Sequence, residues 1–481
     1  MFSFIRSFGT LKMAKMAPDP LIAIVGATGT GKSDLAVELA RRFNGEIING
    51  DAMQLYHGLP VITNKITQEE MKGIPHHLLG CIGLEQEAWT VGKFVSEALI
   101  TIKDIRSRGK LPILVGGTHY YTQSLIFHDA LAKDDALNVV EDSTSFPILK
   151  EPTNTILNRL KEVDPIMADR WHPNERRKIQ RSLELYLRTG KPASQLYNEQ
   201  RMKRKSSPSA KESEQMEPRA PRFSALIFWV HVSRDVLQPR LDNRVDKMLE
   251  RGLLSEVQEL SSFRISQEDR TGTSIDQSRG IWVSIGYKEF LDYQFALSDP
   301  SRPALEIEKL KTAAIEKTQA ATRQYANRQV KWIRIKLLNA LLDTGQECNL
   351  FLLDASDLSR WGDQIIQPAI DITEKFLSGQ PLPVPSTLSA VASEMLTPKR
   401  EYDLGQRPDL WQKKVCDTCG TVAVTENDWS LHMKSRNHRK ATSKKTKNQH
   451  TQDIPNEVSR ALQTEIVDVL ENYMVRFAEK Q

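Results

Sequence analysis

Cysteine is scarce in this chain of 481 residues: there are four, and Cys81 and Cys348 stand alone, without a partner at ligand spacing, as ordinary thiols. So few exclude a disulfide framework and fit a reducing compartment. No uninterrupted apolar run approaches the roughly 20 residues that span a bilayer, so no membrane is expected among the partners. An excess of one charge is also missing. Lys and Arg number 66 against 61 Asp and Glu, a net charge of +5, which permits an anionic macromolecular partner without demanding one. Acids are absent from the first eighteen residues, where Arg6, Lys12 and Lys15 are spaced by Phe and Leu. That composition predicts a mitochondrial presequence over residues 1–20, with Met13 and Met16 as alternative starts. The expected location is mitochondrion and cytoplasm, with the nucleus left open.

Against these absences stands one dense motif. An apolar run from Leu21 to Val25 leads into Gly26, Ala27, Thr28, Gly29, Thr30, Gly31, Lys32 and Ser33, and a helix-like segment, Leu35 to Ala40, follows. Strand, glycine-rich turn and helix N-terminus in that order point successive backbone N–H groups inward. They suit a phosphate or diphosphate, with Lys32 adding a point charge and Ser33 a ligand for Mg2+. Which phosphate compound binds is not specified by the motif.

The length allows two or three domains. A second strand is read over Gly45 to Asp51 and another over Leu111 to Val115, closed by Gly116, Gly117 and Thr118; helical periodicity fills Val91 to Arg108. Strands alternating with helices predict an α/β fold with a parallel sheet of the P-loop NTPase type, whose ligands sit at the carboxyl ends of the strands. Gly31, Asp51 and Thr118 all fall at such ends, so one cleft can contain them. The expected core is residues 21–126 and 222–340, including a buried strand Phe223 to Val232, a long helix from Arg234 to about Leu260, and a helix Leu305 to Arg328 whose charges read as a solvated face. A basic helical insertion is expected over 127–221, with its polar part, 201–221, disordered. Residues 341–400 read as connector and linker, 401–447 as a separate finger with a basic flank, and 448–481 as a tail.

The finger rests on Cys416, Cys419, His432 and His438, whose spacing suits tetrahedral Zn2+. Trp429 and Leu431 are expected to supply its apolar contacts. Lys434, Arg436, Arg439, Lys440, Lys444, Lys445 and Lys447 surround or follow the histidines, a pattern suited to nucleic-acid phosphates. A single finger argues against sequence-specific reading of DNA.

Six stretches, taken in order, resemble the tRNA dimethylallyltransferases, also called tRNA isopentenyltransferases. They are Gly26 to Ser33, Asn49 to Tyr56, Val115 to Tyr121, Ile179 to Glu184, Ser284 to Lys288 and Thr322 to Gln329, and the likeness covers residues 21–336. The finger looks like the extension of eukaryotic members. The resemblance implies transfer of a dimethylallyl group from dimethylallyl diphosphate to N6 of the adenosine 3′ of the anticodon in tRNA, by a monomer. It assigns catalysis to Asp51 with Thr28 and Lys32, and donor binding to the glycine loop with Arg244; Arg240 is a second candidate. The target nucleotide would touch Asp51, Ala52, Met53, Gln54 and Thr118. The anticodon stem-loop would be gripped by Arg177, Lys178, Ile179, Gln180 and Arg181. Physical chemistry agrees with these roles: an adenine amino group is a poor nucleophile helped by a carboxylate that takes its proton, and Lys32 with Mg2+ at Ser33 neutralises charge growing on a departing diphosphate. Gln54 suits a bidentate adenine contact, and the base must leave its stack to enter the cleft. The chain departs from the family pattern at Ala52, where a serine is usual, and at Gly58 to Lys65. A free-nucleotide isopentenyltransferase and a small-molecule kinase would share the loop but leave the basic insertion and finger unexplained. A nucleic-acid-binding module with a vestigial NTPase fold is a third alternative.

Overall fold

The structure, a computed structural model, describes residues 19–127, 146–205, 222–398 and 411–444. The expected presequence (up to residue 18) and the 448–481 tail lie outside them. The described residues form two compact units, 19–127 with 222–398 and 146–205 with 411–444.

The first unit is built on β1 (Pro20–Gly26), α1 (Lys32–Arg42), β2 (Gly45–Asn49), α2 (Gln68–Met71), β3 (His76–His77), α3 (Val91–Ser107), β4 (Leu111–Val115) and α4 (His119–Ile126). The chain leaves this unit for α5 (Thr153–Val163), α6 (Pro165–Arg170), α7 (Arg176–Thr189) and α8 (Ala193–Lys205). It returns through β5 (Ser224–His231), α9 (Arg234–Glu250), α10 (Leu253–Thr271), α11 (Tyr287–Leu297), α12 (Ala304–Trp332), α13 (Leu338–Leu342), β6 (Leu350–Asp354), α14 (Gln367–Leu377) and α15 (Ala390–Met395). The second unit ends in a hairpin, β7 (Trp411–Val415) and β8 (Val422–Thr425), followed by α16 (Glu426–Met433).

Six parallel strands form one sheet in the order β3-β2-β4-β1-β5-β6. Its inner strands are apolar on both faces, as a sheet covered by helices on both sides requires. Along β1, Leu21, Ala23 and Val25 enter one core with α3, α4 and α10, while Ile22 and Ile24 enter the other with α1 and α14. The same two-residue alternation runs through β5 and β6. The chain crosses from β1 to β2 on one side of the sheet and later to β5 on the other. The crevice at the carboxyl ends of β1 and β4 is therefore a topological switch point.

Three boundaries differ from the sequence reading. The segment 341–400 is not a linker: it supplies β6, whose Ile227↔Leu350 register extends the sheet, and α14 beneath it. The expected single helix from Arg234 to Leu260 breaks at Gly252, which takes φ +99, a left-handed conformation that glycine adopts without Cβ strain. Helix α8 carries helical backbone through residue 205, so the stretch expected to be disordered begins as helix; its remainder lies outside the described residues.

On β2 one charge is buried. Glu46, 1% exposed, receives two hydrogen bonds from Arg108 and one from Lys110, and lies 2.7 Å from His77 Nε2. These bonds, Arg108's first, hold its carboxyl far below the usual carboxylate range. A lowered folded-state pKa adds stability that is present above the usual carboxylate range and lost as pH falls through the folded value. Glu46→Ala is expected to cost about 2 kcal/mol, because it removes the charged hydrogen bonds to Arg108 and Lys110 and empties a buried site, while Arg108 keeps its pair with Asp104. Urea unfolding at neutral pH measures it, and a loss below about 1 kcal/mol would contradict the assignment.

Candidate active site

The glycine loop closes through its own side chains. Thr30 Oγ1 donates to Ala27 O at 2.9 Å, and Lys32 Nζ donates to the same carbonyl at 2.6 Å. Gly26 has φ +151, and a Cβ there would stand 2.4 Å from Val230 O. Only glycine lets β1 pass so close to β5 at the loop's entrance. Gly31, φ +89, lies under Trp361, whose ring would meet a Cβ at 2.4 Å. Ser33 is exposed in the first turn of α1.

Beside the loop, the ends of β2 and β4 are locked together. Gly50 N donates to Val115 O at 2.7 Å, and Thr118 N to Gly50 O at 3.3 Å. Asn49, 3% exposed, accepts from Asp51 N and donates to Asp51 O and Leu78 O, holding the turn that carries the carboxylate. Asp51 Oδ1 accepts from Met53 N at 3.0 Å, and Thr118 Oγ1 accepts from Ala52 N at 3.0 Å. Oδ2 lies beside Gly117, 3.1 Å from where a Cβ would stand.

The electrostatics join loop and carboxylate. Burial and then Arg244 pull the Lys32 ammonium down to about 8, while Asp51 opposes the shift. Burial likewise lowers Arg244, on α9, to about 10, again opposed by Asp51. Two crowded cations with one carboxylate favour an incoming polyanion, which relieves their repulsion and replaces their lost hydration. Lys32, Arg244 and Asp51 thus share one cleft. Arg240 does not join them. Its guanidinium donates to the carbonyls of Ala355 and Ser356, which the turn after β6 places in reach.

Three site residues carried no role in the sequence reading. Tyr325 and Gln329 project from α12, the helix whose polar residues read as a solvated face. Gln329 Oε1 accepts from Thr28 N at 2.8 Å, and its Nε2 donates to Gly117 O at 2.9 Å. Burial and then Asp51 raise the pKa of Tyr325, whose hydroxyl lies near the side chains of Thr118 and Gln329. Their i, i+4 spacing inside the stretch Thr322 to Gln329, continuing the buried Thr318 and Thr322, was the available signal. His119 is 3% exposed and has no hydrogen-bond partner among the described residues; burial and Lys32 push its pKa down to about 3, so the ring is neutral. Gln54 is half-buried, and one of its two Nε2–H groups donates to Asn64 O at 2.9 Å, which orients the amide.

In the second unit, α7 is amphipathic. Arg177, Lys178 and Arg181 are exposed, Lys178 pairing with Glu175 and Arg181 with Glu184. Ile179 is fully buried with Leu157, Leu160 and Leu183, so its side chain is core and not an RNA contact. Gln180 turns inward too, donating to Leu149 O at 2.7 Å. Helical geometry places 177 and 181 on one face and 179 and 183 on the other.

The finger's four ligand atoms, on Cys416, Cys419, His432 and His438, lie within 4.8 Å of one another. Cys416 Sγ is 3.5 Å from His438 Nδ1, and Cys419 Sγ is 3.4 Å from His432 Nε2, edges that fit a tetrahedral Zn2+ with thiolate and imidazole bonds near 2.3 and 2.0 Å. Leu431 is 61% exposed, so it does not fill the finger, whereas Trp429 packs on His432. Nor is the finger separate: Arg170 at the end of α6 is stacked between Trp171 and Trp411, and Lys413 Nζ donates to Ala168 O. Arg436, Arg439, Lys440 and Lys444 line one basic depression. Removing the metal with a chelator, or Cys419→Ala, is expected to unfold residues 411–444, whose few apolar contacts need the metal to close. Hydrogen exchange of the β8 and α16 amides reads this; unchanged protection would show that packing alone holds the segment.

Fold and site together define a P-loop transferase core in a chain that also carries a metal-binding, basic finger. A family model described as IPP transferase matches residues 54–336. The tRNA dimethylallyltransferase of Schizosaccharomyces pombe is 37% identical over 444 residues, covering 89% of this chain and 95% of that protein. The human tRNA dimethylallyltransferase is 33% identical, covering 87% of this chain and 85% of its own. A solved structure of a eukaryotic dimethylallyltransferase acting on tRNA aligns with a TM-score of 0.67 at 34% identity, over 90% of this chain and 99% of that one. The chain belongs to the IPP transferase family, to which the tRNA dimethylallyltransferases belong.

Proposed function

We propose that this chain is a tRNA dimethylallyltransferase that carries the dimethylallyl group of dimethylallyl diphosphate to N6 of the adenosine 3′ of the anticodon and releases diphosphate. The observation that carries the reading is the closeness of the glycine loop to Asp51: Gln329 bridges Thr28 N to Gly117 O, Asp51 Oδ2 lies beside the same Gly117, and the charges of Lys32, Arg244 and Asp51 act on one another. The donor's diphosphate lies in the cradle from Gly26 to Ser33, where Thr28, Lys32 and Arg244 bind it. The Ser33 hydroxyl, exposed in the first turn of α1, would hold Mg2+ together with diphosphate and water oxygens, the mixed set the ion favours; it would neutralise leaving-group charge.

As the donor's C1–O bond breaks, its electron pair stays with the diphosphate, whose new charge meets Lys32 and Arg244. The N6 lone pair forms the new C–N bond. Asp51 Oδ2 takes an N–H proton, while Oδ1 stays anchored by Met53 N. Ala52, Met53 and Thr118 flank the target base; Gln54 contributes through its amide, which the bond to Asn64 O orients. Arg177, Lys178 and Arg181 meet RNA phosphates as exposed cations, and the zinc finger's basic depression offers a further phosphate-binding surface. The enzyme acts as a monomer in mitochondrion and cytoplasm.

Incubation with labelled dimethylallyl diphosphate and either tRNA or AMP tests the reading. Label in tRNA supports it. Label in AMP alone would assign a free-nucleotide enzyme, and label in neither would leave the phosphate loop to other chemistry, such as a kinase's.

A further inference from the structure

We infer that the Gln329 carboxamide restricts this glycine loop to two phosphoryl groups, so that the cradle discriminates a diphosphate from a triphosphate such as ATP. The inference rests on the cradle being the donor's diphosphate site.

Loops of this sequence pattern also hold nucleoside triphosphates, with backbone N–H groups around two phosphates and the lysine reaching toward the third. Nothing in the residues Gly26 to Ser33 distinguishes the two ligands. The structure adds a third party. Gln329 comes from α12, 301 residues away in sequence, and its Oε1 takes the Thr28 N–H at 2.8 Å. Its Nε2 donates to Gly117 O at 2.9 Å, so both ends of the amide are held by backbone. Gln329 is 4% exposed, and Tyr325, one turn earlier, lies beside it. Space is full on the far side: a Cβ on Gly117 would stand 2.4 Å from Gln329 Nε2.

Gly117 also borders Asp51 Oδ2, so the bridged corner between Thr28 and Gly117 is the side of the loop that faces the acceptor. Beyond the two phosphates of the donor, that corner receives the dimethylallyl carbon; in a triphosphate, it would receive the third phosphoryl group. An allyl carbon accepts no hydrogen bond. A Thr28 N–H left open there would be an unsatisfied donor, and one better served by phosphate oxygen. Gln329 satisfies that N–H. It also brings the Gly117 carbonyl's negative end alongside, which repels a third phosphoryl group and tolerates carbon.

Displacement of labelled pyrophosphate from the full chain in the presence of Mg2+ tests this, with inorganic pyrophosphate and tripolyphosphate as competitors. Wild type is expected to bind pyrophosphate about 100-fold more tightly than tripolyphosphate, and Gln329→Ala to narrow that ratio about tenfold by freeing the Thr28 donor. Gln329→Met, which keeps volume without hydrogen-bonding ability, is expected to lower pyrophosphate affinity little and to narrow the ratio less than alanine. It also serves if the alanine variant does not fold. A merely structural role would weaken both anions together and leave the ratio unmoved. Equal binding of the two anions by wild type, or an unmoved ratio in the variants, overturns the inference while leaving the donor site standing. Absence of pyrophosphate binding by wild type overturns both.

Discussion

Asp51→Asn is expected to lower kcat for prenyl transfer to tRNA by about a thousandfold while leaving the tRNA dissociation constant and the donor KM within about threefold of wild type. Asparagine keeps the acceptor that Met53 N needs, so the turn set by Asn49 and Gly50 stays in place. What disappears is the oxygen base beside Gly117. An amide does not take the N6 proton as the C–N bond forms. Single-turnover rates with saturating donor and tRNA separate this loss from binding. A fall of less than about tenfold would remove Asp51 from the proton's path and leave it as a turn residue.

The second large effect belongs to Lys32. Lys32→Ala is expected to reduce kcat/KM for dimethylallyl diphosphate by about 10² to 10³, because the ammonium stabilises charge that grows on the leaving group. The loss should appear in kcat as well as in KM, since the charge at the bridging oxygen is larger in the transition state than in the ground state. Arg244→Ala should act in the same direction, and the double variant should fall short of the product of the two. The pair repels itself in the free enzyme, so removing one cation relieves the other. A Lys32→Ala enzyme with unchanged kcat and raised KM would restrict the residue to uniform binding of the donor.

Much of this arrangement was readable along the chain, and the readable part has a common character. Gly26, Gly29 and Gly31 take positive φ inside the expected phosphate loop. Cys416, Cys419, His432 and His438 converge as their spacing required. Strands β1, β2, β4 and β5 fall where apolar runs lie between turn residues, and Asp51 and Thr118 meet through Ala52 N as their placement at strand ends implied. The misreadings are equally specific. Strand β6 was hidden in a stretch read as connector, because Leu350 to Leu353 is only four apolar residues long and becomes a strand by pairing with β5. Ile179 and Gln180 shared a basic stretch with Arg177 and Arg181, yet helical rotation sends Ile179 to the opposite, buried face and Gln180 is drawn from the flank to the Leu149 carbonyl.

The residues alone settled the glycine cradle, the metal-ligand set, the strand ends and the family to which they lead, features carried by local backbone geometry or by side chains close in sequence. Only folding decided the rest. Gln329 reaches Thr28 and Tyr325 reaches Thr118 because α12 packs across the ends of β1 and β4, whereas Arg240 is drawn away by the turn after β6. Linear patterns record which residues are polar, but a polar side chain's partner is fixed by which backbone lies opposite it once the sheet has formed. In this molecule that placed an amide against the phosphate loop.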